Sequence, residues 1–305
     1  MEKVSIIGAG FVGSTAAYAM LVQGIASTIA LIDINKEKAH GEALDLEHGL
    51  SFVEDSKIIF GDSYSLLEGS DVVVICAGVG QKPGETRLEL IEKNSAIFKS
   101  IVPNIVKHAP NTVIVVVTNP VDILTYLTIK YSGLPKERVF GTGTTLDTSR
   151  FRHYLGEHFS VSSKSIHAYI LGEHGDSEFP ALSRAMIAGT PLAECDWYSD
   201  EAAQRCFQQT RNAAYEIINR KGATYYAIGL AISRIVRSIL NDEKRVYPVS
   251  TLLTNYYEEG NICLSIPCAI GRGGITRRFQ LALNKDEQAA LHRSAAIVRA
   301  SLKGF

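Results

Sequence analysis

Residues 4–13 read VSIIGAGFVG and residues 28–33 read TIALID. The first stretch is an apolar run ending in glycines at 8, 10 and 13; the second is a β-branched run ending in Asp33. Glycines in that spacing, after a strand and before a helix, allow a tight turn, close approach of a pyrophosphate to backbone N–H groups, and close packing of helix on strand. Asp33 stands 20 residues beyond Gly13, where a carboxylate can accept hydrogen bonds from adenosine ribose hydroxyls. It would also repel a 2′-phosphate, so the two features together point to NAD rather than NADP. No charged side chain occurs from Val4 to Ile32, a run long enough to raise a membrane span or a signal peptide. Gly8, Gly10, Ser14, Thr15 and Gln23 interrupt it, and its apolar spacing changes partway. It reads as strand, turn, buried helix, strand, so no membrane association is expected.

Outward from this unit, β-branched runs alternate with helical patterns, the signature of βαβ units and a parallel sheet. The runs are Val4 to Ile7, Thr28 to Ile32, Lys57 to Phe60, Val72 to Cys76, Val113 to Val117 and Arg138 to Phe140. Helices are expected at about Val12 to Gln23, Lys36 to Gly49, Glu85 to His108 and Val121 to Tyr131. Gly8, Asp33, Gly78 and Asn119 each follow a run, at the sheet edge where open α/β folds bind ligands. After about residue 145 the pattern changes to helix, strand, two long helices (Asp200 to Arg220 and Thr224 to Asn241), strands near Val246 to Tyr257 and Ile262 to Ile270, and a closing helix from Asp286. The expected fold is therefore α/β: a Rossmann-type doubly wound parallel sheet over residues 1–143, followed by an α+β substrate domain over residues 144–305, with the ligand site between them.

The 305-residue chain is 46% apolar and 21% charged, a globular composition large enough to bury two cores. With 31 basic against 32 acidic residues its net charge is −1, which offers no global field for a nucleic-acid backbone, and the basic cluster Arg272 to Arg278 reads as a solvated turn and strand. Cys76, Cys195, Cys206, Cys263 and Cys268 are odd in number and scattered, which suggests neither a disulfide framework nor a zinc site but reduced thiols in a cytoplasmic protein.

His174 sits in LGEHGD, a polar, glycine-flanked turn after an apolar run, where an imidazole can exchange protons near neutral pH. Asp147, in LDTSR, is a candidate to fix its tautomer and raise its proton affinity. Arg150 lies three residues beyond Asp147, on the same helix face, as a fork for a carboxylate. Arg87 ends QKPGETR, a polar segment with Pro and Gly of the kind that forms a mobile lid.

These motifs carry a resemblance. Gly8 to Gly13 with Asp33, residues 76–87 (CAGVGQKPGETR), 117–122 (VTNPVD), 146–152 (LDTSRFR), 167–176 (HAYILGEHGD) and 221–226 (KGATYY) closely resemble bacterial L-lactate dehydrogenases, in order and over essentially the whole chain. The resemblance implies reversible hydride transfer between NADH and pyruvate. It makes His174 the acid and base, held by Asp147, with Arg150 anchoring the substrate carboxylate and Arg87 polarising the ketone. Gln81, Asn119, Asp122 and Thr224 would complete the substrate pocket. Besides Gly8, Gly10, Gly13 and Asp33, it implies cofactor contacts at Val12, Lys38, Tyr64, Gly78, Ser100, Thr118, Asn119 and Thr142, with no metal. The alternative within the superfamily is an NAD-dependent malate dehydrogenase. It is disfavoured by Gln81, which occupies the specificity position where malate-type enzymes carry arginine. Arg152 and His167 match positions that bind fructose bisphosphate between subunits, and the resemblance implies a homotetramer, a dimer of dimers. One departure is residues 271–278 (GRGGITRR), which lack the acidic residue often seen after the Gly-Ile step.

Overall fold

The computed structural model describes residues 2–80, 84 and 86–305, without the side chain of Arg87. Its first six strands are β1 (Lys3–Ile7), β2 (Thr28–Ile32), β3 (Lys57–Gly61), β4 (Val72–Ile75), β5 (Val113–Val116) and β6 (Val139–Gly141). They are parallel and lie side by side in the order β3-β2-β1-β4-β5-β6, the doubly wound arrangement. β4 and β5 are buried along their whole length, which explains their unbroken Val and Ile content: helices cover both faces. The covering helices are α1 (Phe11–Val22), α2 (Lys36–His48), α3 (Arg87–His108) and α4 (Val121–Ser132).

The expected start of α3 at Glu85 moves to Arg87, because Thr86 is its N-cap: the Thr86 side chain accepts from Glu89 N–H while the Glu89 carboxylate accepts from Thr86 N–H. The sixth strand likewise runs one residue later than its apolar run suggests.

The second half contains α5 (Thr145–Phe159), the short strands β7 (Ile166–His167), β8 (Ile170–Leu171), β9 (Phe179–Pro180), β10 (Met186–Ile187) and β11 (Thr190–Pro191), then α6 (Asp200–Lys221) and α7 (Tyr226–Leu240). It closes with β12 (Arg245–Tyr256), β13 (Glu259–Gly271), β14 (Gly274–Arg278) and α8 (Lys285–Ser301). The five two-residue strands carry too little periodicity to be read from sequence. A larger difference is that β12, β13 and β14 do not form a sheet of their own. They pair antiparallel and continue the parallel sheet beyond β6, through Ser250 opposite Gly141, giving nine strands among the described residues. The β6 edge is thereby paired rather than left open. α7 starts at Tyr226 rather than Thr224, which leaves Thr224 in the loop after α6.

Arg272–Arg278 is a turn and edge strand: the Arg272 guanidinium donates to Leu240 O, and the Arg278 side chain reaches Thr251 and Glu137. The main apolar core runs through the nine-stranded sheet and its helices; a second cluster around Phe151, Leu155, Ile166 and Phe207 joins α5, α6 and β7. Among the described residues no helix is long and apolar enough to cross a membrane. All five cysteines are free thiols.

Candidate active site

The turn from β1 to α1 explains its glycines. Gly8 has φ +102°, and a Cβ there would stand 2.6 Å from Ala77 N. A Cβ on Gly13 would stand 2.0 Å from the Gly8 carbonyl oxygen, so only glycine lets the helix approach so closely. A Cβ on Gly10 would meet nothing within 4 Å: it faces open space. Gly10 is also the N-cap of α1, makes no side-chain cap, and is followed by no acid in the first turn, so the helix end offers N–H groups and a positive dipole to an anion. The Asp33 carboxylate accepts from Ala9 N–H at 2.7 Å and from Asn35 N–H at 2.9 Å, fixing it at the end of β2 beside this cradle. A pyrophosphate over Gly10 and a ribose diol at Asp33 fit these residues.

The other expected cofactor residues fall mainly on the same edge. Thr118 donates through its hydroxyl to Ala77 O at 2.8 Å, tying the end of β5 to the end of β4. Gly78 packs against Thr118, where a Cβ would approach its Cγ2 to 2.3 Å. Thr142 follows β6, buried, with its N–H donating to Val116 O at 2.9 Å. Val12 is half-buried in the first turn of α1; Tyr64 is half-buried at the start of a short helix, its hydroxyl pKa raised by burial. Lys38 is exposed near the start of α2, and Ser100 is exposed midway along α3.

His174 and its partners come from separate elements. Its Nδ1 lies 2.6 Å from Asp147 Oδ2, a contact 27 residues apart in sequence. Arg150 Nη1 donates to the other Asp147 oxygen at 2.8 Å. The i,i+3 spacing on α5 places Arg150 on the buried Asp147 carboxylate, and tertiary packing brings His174 to its other oxygen. Burial pushes the Asp147 carboxyl up, but the charges and hydrogen bonds of His174 and Arg150 outweigh it and hold the pKa below the ordinary value. Burial draws the His174 pKa down. The Asp147 carboxylate more than reverses this, with smaller help from Glu178 and Asp122, and raises it to about 9. The imidazole is thus positively charged at neutral pH while its side chain is still 27% exposed.

The loop bearing His174 is pinned by its backbone. His174 N–H donates to Asp122 Oδ2 at 2.8 Å, Ser250 Oγ donates to Asp122 Oδ1 at 2.5 Å, and Gly172 exchanges backbone hydrogen bonds with Ser265. Asp122, at the start of α4, is 2% exposed and ties the VTNPVD segment to the histidine loop and to β12. Asn119 lies three residues before it in the same segment, and Thr224 is half-buried in the loop before α7. Arg152 stacks over Tyr169 at 5.2 Å and donates to Ala168 O at 2.9 Å, next to His167, which is exposed on β7. Gln81 and the side chain of Arg87 lie outside the described residues.

Two residues escaped the sequence reading. Asn94 is fully buried on α3: its amide donates to Val79 O and Asn119 O, and its Oδ1 accepts from Val79 N–H, clamping the end of β4 to the end of β5. The available signal was an amide on the apolar face of a helix. Glu178 is a buried acid, and one of its carboxylate oxygens, one of Asp147 and a ring nitrogen of His174 all lie within 4.8 Å of one another.

A family model described as lactate/malate dehydrogenase, NAD binding domain, matches residues 2–141. Its companion, lactate/malate dehydrogenase, alpha/beta C-terminal domain, matches residues 144–304. The chain belongs to the lactate/malate dehydrogenase family. It is an NAD-dependent dehydrogenase. Its relatives include the L-lactate dehydrogenase of Clostridium botulinum strain Hall, 49% identical over 98% of this chain and 96% of that protein. L-lactate dehydrogenase 1 of Clostridium acetobutylicum is 49% identical over 98% and 97%. The crystal structure of the minor L-lactate dehydrogenase of Enterococcus mundtii, in a ligands-bound form, superimposes with TM-score 0.96 at 44% identity, covering 99% of this chain and 98% of that one.

Proposed function

We propose that this family member interconverts pyruvate and L-lactate. The observation that carries the reading is the one buried carboxylate of Asp147, which holds both a charged imidazole and an arginine fork. NADH, when bound, supplies the hydride. Gly8, Gly10 and Gly13 would hold its pyrophosphate and Asp33 its adenosine ribose, with Val12, Lys38, Tyr64, Gly78, Ser100, Thr118, Asn119 and Thr142 as further contacts. In this division residues 1–143 bind the cofactor and residues 144–305 carry most of the substrate groups.

Arg150 receives the pyruvate carboxylate in a bidentate grip. With Nδ1 of His174 engaged by Asp147, Nε2 donates its proton to the forming alkoxide and takes it back in lactate oxidation. Arg87, on the segment that closes over the site, polarises the ketone, and Asn119, Asp122 and Thr224 complete the pocket. Negative charge developing on oxygen is met by the imidazolium and Arg87 in a site from which closure excludes water. Gln81 sets the acid: oxaloacetate would bring a second carboxylate to a neutral amide, whereas pyruvate leaves nothing unpaired.

Arg152 and His167 form the binding site for an activator, fructose bisphosphate, at an interface of a homotetramer built as a dimer of dimers. The proximity of Arg152 to the His167 segment supports this. Free cysteines suit a cytoplasmic enzyme.

Steady-state NADH oxidation with pyruvate and with oxaloacetate tests the reading. A higher kcat/KM for oxaloacetate overturns the lactate assignment. Fructose bisphosphate titrated at subsaturating pyruvate and mildly acidic pH tests the second site, and an unchanged activity curve overturns activation.

A further inference from the structure

Glu178 lies four residues beyond His174 and takes no part in the steps above. Its N–H donates to Gly175 O at 3.1 Å, closing the turn that directly follows the histidine, and the next residue, Phe179, pairs with Leu171 in β9 and β8. The fold thus returns a carboxyl to the underside of the catalytic loop, 7% exposed, within 4.8 Å of both the imidazole and the Asp147 carboxylate. Facing this cluster are Asp147 and Arg150 from α5, Arg211 from α6, and Asp122 from α4, which acts on the histidine. Three acids therefore surround one imidazole, and only Asp147 and Asp122 have been given a purpose.

We propose that Glu178 is a positioning residue for proton transfer, a third ionisable group beside the His174–Asp147 pair that sets the pH range over which the imidazole keeps its proton. The inference rests on the reading of His174 as proton donor.

Burial, and repulsion from Asp147, push the Glu178 carboxyl up to about 9, the region in which His174 also titrates. At neutral pH Glu178 is a neutral acid, so the pocket carries one anion fewer when the substrate carboxylate arrives at Arg150. As the pH rises it becomes an anion beside the imidazolium and opposes loss of the histidine proton. Proton loss from the two groups is then a joint event, and the basic limb of the pH profile belongs to the pair.

Glu178→Gln keeps the shape and removes the late-forming anion. With NADH saturating, kcat/KM for pyruvate should stay near the wild-type value at pH 6, where Glu178 is uncharged, and fall increasingly as pH rises, the basic limb moving toward acid by about one pH unit. Binding of oxamate, a non-reacting pyruvate isostere, to the enzyme–NADH complex needs the same imidazolium donor. Its dissociation constant, read by quenching of NADH fluorescence, should rise along the displaced limb. A purely structural role would lower the melting temperature or activity at every pH and leave the limb in place. An unmoved limb in folded Glu178→Gln overturns the proposal. If that variant does not fold, Glu178→Asp carries the test: the shorter side chain draws the carboxylate away, and the limb must move the same way by less. His174→Asn separates this idea from the reading beneath it. Pyruvate reduction retained in His174→Asn removes the proton-donor assignment itself, whereas activity lost there with an unmoved limb in Glu178→Gln removes only the role of Glu178.

Discussion

Asp147→Asn removes one charge and almost no volume, which makes it the sharpest probe of the site. The wild-type carboxylate is 4% exposed, 2.6 Å from His174 Nδ1 and 2.8 Å from Arg150 Nη1. Burial alone would leave the histidine with weakened proton affinity; the carboxylate, with smaller help from Glu178 and Asp122, carries it from an ordinary 6.5 to about 9. At roughly 1.4 kcal/mol per pKa unit, the Asp147 contribution is about 3 kcal/mol or more. In the variant the amide oxygen can still accept from Arg150, but the amide N–H₂ then faces Nδ1 and favours a neutral ring. At pH 7 nearly all of the wild-type imidazole is charged, whereas in the variant roughly a quarter or less is. The donor is also no longer stabilised in its charged form. Together these predict a fall of about 100-fold in kcat/KM for pyruvate at pH 7, within the range of general acid–base contributions. The loss should deepen as pH rises, because the lowered pKa is then further behind. Steady-state NADH oxidation across pH reads this directly. Retention of activity within about threefold near pH 8 would refute the claim that Asp147 is the source of the proton affinity of His174.

Further expectations concern the scaffold and the choice of acid. Gly13→Ala places a methyl group against the fixed Gly8 carbonyl, so α1 must retreat; NADH affinity by calorimetry should fall at least about tenfold, with a stability loss of about 1–3 kcal/mol. Asn94→Leu leaves the Val79 and Asn119 backbone groups without their clamp; chemical denaturation should show a loss of about 1–3 kcal/mol, together with a raised KM for NADH. The raised His174 pKa ties stability to pH. The contribution of the histidine is fully present below about 6.5 and is lost as pH climbs through about 9, so the melting temperature should drop over that window, and less so in Asp147→Asn. Gln81→Arg should reverse the preference between pyruvate and oxaloacetate in the NADH assay, and a variant still favouring pyruvate would remove Gln81 as the selector.

The local grammar of the chain carried much of this protein. Continuous Val and Ile runs mark strands covered on both faces, the glycines at 8, 10 and 13 with Asp33 mark a dinucleotide turn, and the three-residue step from Asp147 to Arg150 puts two side chains on one helix face. Each is a short-range geometric consequence of backbone periodicity, so sequence spacing is enough to express it. Which residues meet across the chain is another matter. Only the packed structure seats His174 on Asp147 from 27 residues away and on Asp122 from 52, returns Glu178 beneath the same loop, hides Asn94 as a clamp between strand ends, and joins β12 to β6 so that one sheet runs through both halves. Contacts of this kind depend on which edges need a partner and which buried polar groups need a hydrogen bond, conditions set by every neighbouring element at once. The sequence by itself determined the cofactor turn and the strand-helix rhythm, because those are local. The tertiary structure decided which acid governs the histidine, because burial and the surrounding charges exist only after the chain has packed.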